Sequence, residues 1–130
     1  MTPEEVLEQR RQYLIDRDFE GFVSLFAEDA VLELPFAVQG LPDRLVGREA
    51  IREFSLQAAA HAIAIIDLRT VQLHRTTDPE VVILELVTEA RHTTTDVPFQ
   101  ATCIQVFRIQ DGKIKLFRDY VGAHSVPDLN

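Results

Sequence analysis

The sequence predicts an α+β domain in which a curved antiparallel sheet wraps around helices to form a cone with an internal pocket. Three observations carry that prediction. The first half of the 130-residue chain holds capped segments with apolar residues at helical spacing, the second half holds long runs rich in β-branched and aromatic residues, and no repeat or linker divides them. A sheet closed on one side by helices leaves a mouth, and such a mouth is a natural ligand pocket. The chain is therefore expected to form one cone domain over residues 1–130, with Ser125 to Asn130 as a loose tail.

The first helix starts at Thr2-Pro3-Glu4-Glu5, with Thr2 as cap, Pro3 in the first turn and Glu5 at the capping-box position. Val6, Leu7, Arg10, Tyr13 and Leu14 follow at helical spacing to about Asp16, and Tyr13 can point its hydroxyl into the pocket or sit in the core. Asp18 caps a shorter helix carrying the stripe Phe19, Phe22, Val23 and Phe26. Ala30 to Pro35 reads as a short edge strand, because Pro35 cannot donate to a ladder. Phe36 to Val46 lacks periodicity and suits a pocket rim, with Phe36 apolar enough to touch a ligand. From Gly47 to about Ala62 a third helix has Ile51, Phe54, Ala58 and His61 or Ala62 along one face; the small residues near Ala58 allow close approach. His61 is either a proton-transfer group or a complement to the helix C-terminus.

Two long strands follow, roughly Ile65 to Arg75 and Glu80 to Thr93. The last two, within Pro98 to Val121, form a hairpin around Gln110-Asp111-Gly112. A three-residue loop with Gly112 left-handed pairs Ile109 with Lys113, sets Cys103 opposite Asp119 and Gln105 opposite Phe117, and is favoured. It gathers Cys103, Gln105, Phe107, Phe117, Asp119 and Val121 on one mostly apolar face. A two-residue loop would slip the register by one and turn Asp119 away from Gln105. One carboxylate on an apolar surface is the main functional lead.

Composition narrows the partners. A formal charge of −8 disfavours nucleic acid and anionic membranes. The single cysteine, Cys103, rules out an internal disulfide, and the four histidines show no ligand-type spacing, so neither a metal nor a cofactor is expected. No export signal or apolar run near ~18 residues stands out, which makes a cytoplasmic location the expectation.

On Leu25-Phe26-Ala27-Glu28-Asp29-Ala30-Val31, Gly47-Arg48-Glu49-Ala50-Ile51-Arg52-Glu53-Phe54, Asp111-Gly112-Lys113-Ile114 and Arg118-Asp119-Tyr120, the chain resembles the nuclear transport factor 2-like, or SnoaL-like, superfamily. The resemblance implies the cone fold and a homodimer through the outer sheet face, where Thr102, Ile104 and Val106 lie. Leu34 stands where ketosteroid isomerases carry their general base, and Gln105 stands where they carry an oxyanion-stabilising acid. Limonene-epoxide-hydrolase-like members need an Asp-Arg-Asp set that the strand of Cys103 and Gln105 does not complete. The chain is more similar to phenazine-biosynthesis A/B proteins, whose last-strand acid matches Asp119, while Phe54 and Gln105 occupy the positions of their histidines. SnoaL-like polyketide cyclases also use a last-strand aspartate as base.

Two functions remain open. In one, Asp119 performs acid/base isomerisation, cyclisation or dehydration on a small apolar, aromatic or polyketide-like compound held by Gln105, Cys103, Phe107, Phe117, Phe36, Phe54, Ala58, His61 and Tyr13. In the other, the domain is a non-catalytic small-ligand-binding or dimeric scaffold module, and Asp119 is ion-paired to an arginine such as Arg48.

Overall fold

The computed structural model describes residues 1–37, 40–60 and 63–121. The element order is α1 (Pro3–Ile15), α2 (Phe19–Ser24), β1 (Phe26–Glu33), β2 (Arg44–Val46), α3 (Arg48–Ala60), β3 (Ile63–Arg75), β4 (Val81–His92), β5 (Pro98–Gln110) and β6 (Lys113–Tyr120). Local chemistry explains the helix starts. Thr2 accepts from the Glu5 amide while the Glu5 carboxylate accepts from the Thr2 amide, and the Asp18 carboxylate accepts from the Gly21 amide at 2.9 Å.

The six strands form one curved, open sheet in the order β2-β1-β6-β5-β4-β3. From β3 to β6 it is an antiparallel meander, as predicted, but β1 pairs parallel with β6, so the sheet is mixed. The expected edge strand is not an edge. β1 begins at Phe26, lies between β2 and β6, and ends at Glu33, so Pro35 falls after the ladder and deprives it of nothing. Phe26 leaves the helical stripe for the same reason, yet stays in the core with its ring centroid 5.2 Å from that of Phe22.

The β5–β6 turn departs from the favoured loop. It is a two-residue turn, Asp111-Gly112, with both residues at positive φ (52° and 75°), and Gln110 pairs with Lys113. This is the twist that suits a tight hairpin. Beyond it Ile109 pairs with Ile114 but Arg108 pairs with Leu116, so Lys115 is an extra residue that advances the register by one. Gln105 therefore faces Asp119 directly and Phe107 faces Phe117. The shared inward face is kept, with different partners from those expected.

The helices cover the inner face: α1 packs on β3 and α2, and α3 packs on α2 and β1. Between them Val6, Phe26, Ile51, Val82, Leu86, Phe107 and Ile114 are fully buried. Residues 122–130, including the expected tail, lie outside the described residues.

Candidate active site

Strand alternation builds the floor of the site. On β5 Ala101, Cys103, Gln105, Phe107 and Ile109 are all buried, while Thr102 and Ile104 are exposed on the outer face. Across from them Phe117 and Asp119 of β6 point the same way, into a cavity of about 370 Å³. Its wall includes Leu14, Phe19, Phe22, Leu34, Phe54, Leu68, Ala90 and Phe99. Asp119 is the one carboxylate in this lining, and its Oδ1 is buried with no hydrogen-bond partner among the described residues.

Arg10, on α1, completes the polar centre. It is 3% exposed, its Nη1 donates to Gln105 Oε1 at 2.8 Å, and its guanidinium carbon lies 4.8 Å from the Phe107 ring centroid and 5.6 Å from that of Phe117. Phe107 and Phe117 stack at 4.7 Å, so a guanidinium rests on two aromatic faces. Because the Gln105 oxygen is taken by Arg10, its amide nitrogen is the end left to donate toward Asp119. A second cavity, about 170 Å³, opens behind Arg10 between α1 and β3–β4, and Arg10 with Leu68 lines both.

Burial sets the charges. Desolvation pushes the Asp119 carboxyl up to about 6; the Gln105 amide and the Arg10 charge pull it down but do not outweigh the loss of water. Desolvation also lowers Arg10 to about 10, which leaves it a cation at neutral pH. The Cys103 thiol is raised to about 11, first by burial and then by Asp119, so at neutral pH it is a thiol and a poor nucleophile.

The predicted site residues divide. Asp119, Gln105, Cys103, Phe117 and Phe54 come together around the cavity. Phe107 lies one layer below, fully buried under Phe117 and Arg10. Tyr13 is not in the cavity lining: its ring lies over Gly21, where an added Cβ would stand 2.5 Å from it, so the glycine leaves the ring room against α2. Phe36 is 60% exposed and packs edge-on against Tyr120 at 5.5 Å, away from the cavity. His61 lies outside the described residues, as does the side chain of Ala58, whose backbone belongs to α3. Arg48 does not pair with Asp119; it donates to the Phe26 carbonyl and lies 3.6 Å from Glu28. Sequence reasoning missed Arg10 as a site residue, although a cation on the apolar stripe Val6, Leu7, Arg10, Leu14 was the signal for it.

Among the described residues no three His, Cys, Asp or Glu side chains converge as a metal site, and no helix is long and apolar enough to cross a membrane.

The chain is similar to known proteins along nearly its whole length. An uncharacterized PhzA/B-like protein of Pseudomonas aeruginosa is 31% identical over 120 residues, covering 92% of this chain and 84% of that protein. A crystal structure of a candidate isomerase from Bacillus subtilis superposes with a TM-score of 0.87 at 28% identity, covering 94% of this chain and 87% of that one. A Catenulispora acidiphila protein of ketosteroid isomerase-like fold, crystallised with trimethylamine, gives a TM-score of 0.78 at 19% identity, covering 97% and 91%. The model of the SnoaL-like domain matches residues 8–117, and with the cone and its relatives in agreement, this chain belongs to the SnoaL-like domain family.

Proposed function

We propose that the chain binds a small, mostly apolar carbonyl compound, aromatic or polyketide-like, and moves a proton on it with Asp119 as general base. The observation that carries this reading is a single carboxylate, raised to about 6, in the lining of a mostly apolar cavity, with its Oδ1 buried and unpartnered among the described residues. At neutral pH most of that carboxylate is ionised and still basic enough to accept a proton, the compromise that general-base catalysis requires. Asp119 takes the proton from the carbon next to the carbonyl; the C–H electron pair becomes the new C=C bond and the carbonyl oxygen gains the negative charge. Arg10 supplies a positive charge on the same cavity for that oxygen. Gln105, held by Arg10, orients Asp119. Return of the proton to a different carbon gives isomerisation; attack by the enolate on a second carbonyl, whose oxygen takes the proton from Asp119, gives cyclisation; expulsion of a β-hydroxyl, which leaves as water with that proton, gives dehydration. The names of the relatives, an isomerase candidate and a PhzA/B-like protein, support this class of chemistry.

A second reading rests on the apolar walls. Leu34 and Phe54 line the cavity at positions where the resembling families carry acid/base groups, which supports a non-catalytic binding module. Either module works in the cytoplasm as a homodimer through the outer sheet face. The readings separate on 2-tetralone, whose methylene next to the carbonyl is acidic. The catalytic reading expects hydrogen–deuterium exchange faster than in buffer, rising with pH through about 6 as the carboxylate forms. Asp119→Asn should bind the ketone and lose at least ~100-fold of the acceleration. Equal exchange by both proteins would leave only binding.

A further inference from the structure

The cavity carries more positive than negative charge in a protein that carries the opposite. Its charged lining residues are Arg10, Arg17 and Asp119, against a formal charge of −8 for the chain. Arg10 and Asp119 offset one another at the floor. Arg17 is left over. It follows the C-cap of α1 in the left-handed region at φ 58°, and Arg10, Leu14 and Arg17, in order of increasing exposure, all line the cavity. Its guanidinium carbon lies 6.0 Å from the ring centroid of Phe19, another lining residue, which keeps the cation at the cavity. Among the described residues Arg17 has no ion-pair partner. The adjacent Asp18 is engaged elsewhere, capping α2 through the Gly21 amide.

We infer that the ligand is an organic acid, with an apolar body filling the cavity and a carboxylate held by Arg17 at the outer end. This names the substrate class of the site proposed above and rests on that reading of the cavity. An apolar wall cannot distinguish an acid from its ester, because both present the same hydrocarbon. A cation at the rim can, since only the acid carries a charge for it. Arg17 is exposed, so the discrimination is modest and falls with salt.

The test uses 2-naphthoate and methyl 2-naphthoate, titrated by fluorescence into the full chain in low-salt buffer. The inference expects the acid to bind roughly three- to tenfold more tightly than the ester. Arg17→Gln should bring the two affinities together, and Arg17→Lys should restore the preference. Equal or weaker binding of the acid by the unaltered protein would overturn the inference and leave a ligand cavity standing. Survival of the preference in Arg17→Gln would also overturn it, by assigning the carboxylate to Arg10. If neither probe binds, the inference fails together with the proposed function.

Discussion

Asp119 and Arg10 show how two residues of opposite charge can share an oily site while burial, more than their attraction, sets the carboxyl's pKa. Each is penalised by lost hydration, and each is relieved by the other, yet burial still pushes the Asp119 carboxyl from its ordinary 3.8 up to about 6. The sign of Arg10's influence is therefore fixed: it favours the carboxylate. Replacing Arg10 by leucine removes that help, so the ascending limb of the exchange rate against pH should move to higher pH than in the unaltered protein. An unmoved limb would mean that Arg10 does not act on Asp119. Gln105 was legible in the sequence because alternation along β5 reports facing. The inward facing of Asp119 was expected from a three-residue loop and comes instead from a two-residue turn followed by the extra residue Lys115. Arg10 was not legible. Its long side chain sits where a helical stripe asks for an apolar residue, and only the tertiary structure brings Gln105 and two aromatic rings to meet it.

The β5–β6 hairpin decides whether these groups share a face. A plain two-residue turn would set Arg118 opposite Gln105 and send Asp119 outward; the extra residue at Lys115 returns it to the cavity. The hairpin was legible from Asp111-Gly112 between apolar runs, whereas the bulge was not, because a single added residue leaves no periodic trace. The parallel pairing of β1 with β6 was hidden for another reason: it joins segments from opposite ends of the chain, and β1 has the irregular burial of a strand whose register shifts between Phe26 and Val31. The three-residue β2 is too short for any pattern. The tight turn also depends on glycine at 112, where φ is 75°. Gly112→Ala should cost about 1 kcal/mol and lower Tm by a few degrees in a thermal melt, since an L side chain is disfavoured in the left-handed region. An unchanged Tm would mean that the turn can relax at no cost.

At the scale of the whole molecule, the cone gives the sheet two unlike faces. The inner one is closed by helices; the outer one exposes Ile104 among its residues, at 46%, beside Thr102. An outward isoleucine in mid-strand suits a covered surface, so sedimentation velocity at micromolar concentration should give the mass of two chains, and Ile104→Glu should shift it toward one. A monomer at that concentration would remove the dimer. The inner face matters more, because the hollow is what withholds water from Asp119 and raises its carboxyl. The most direct test is to follow the Asp119 carboxyl carbon by NMR as pH is varied. Burial of the carboxyl should put the midpoint at about 6; a midpoint near the ordinary 3.8 would show the group to be solvated, and the proposed chemistry would have no base.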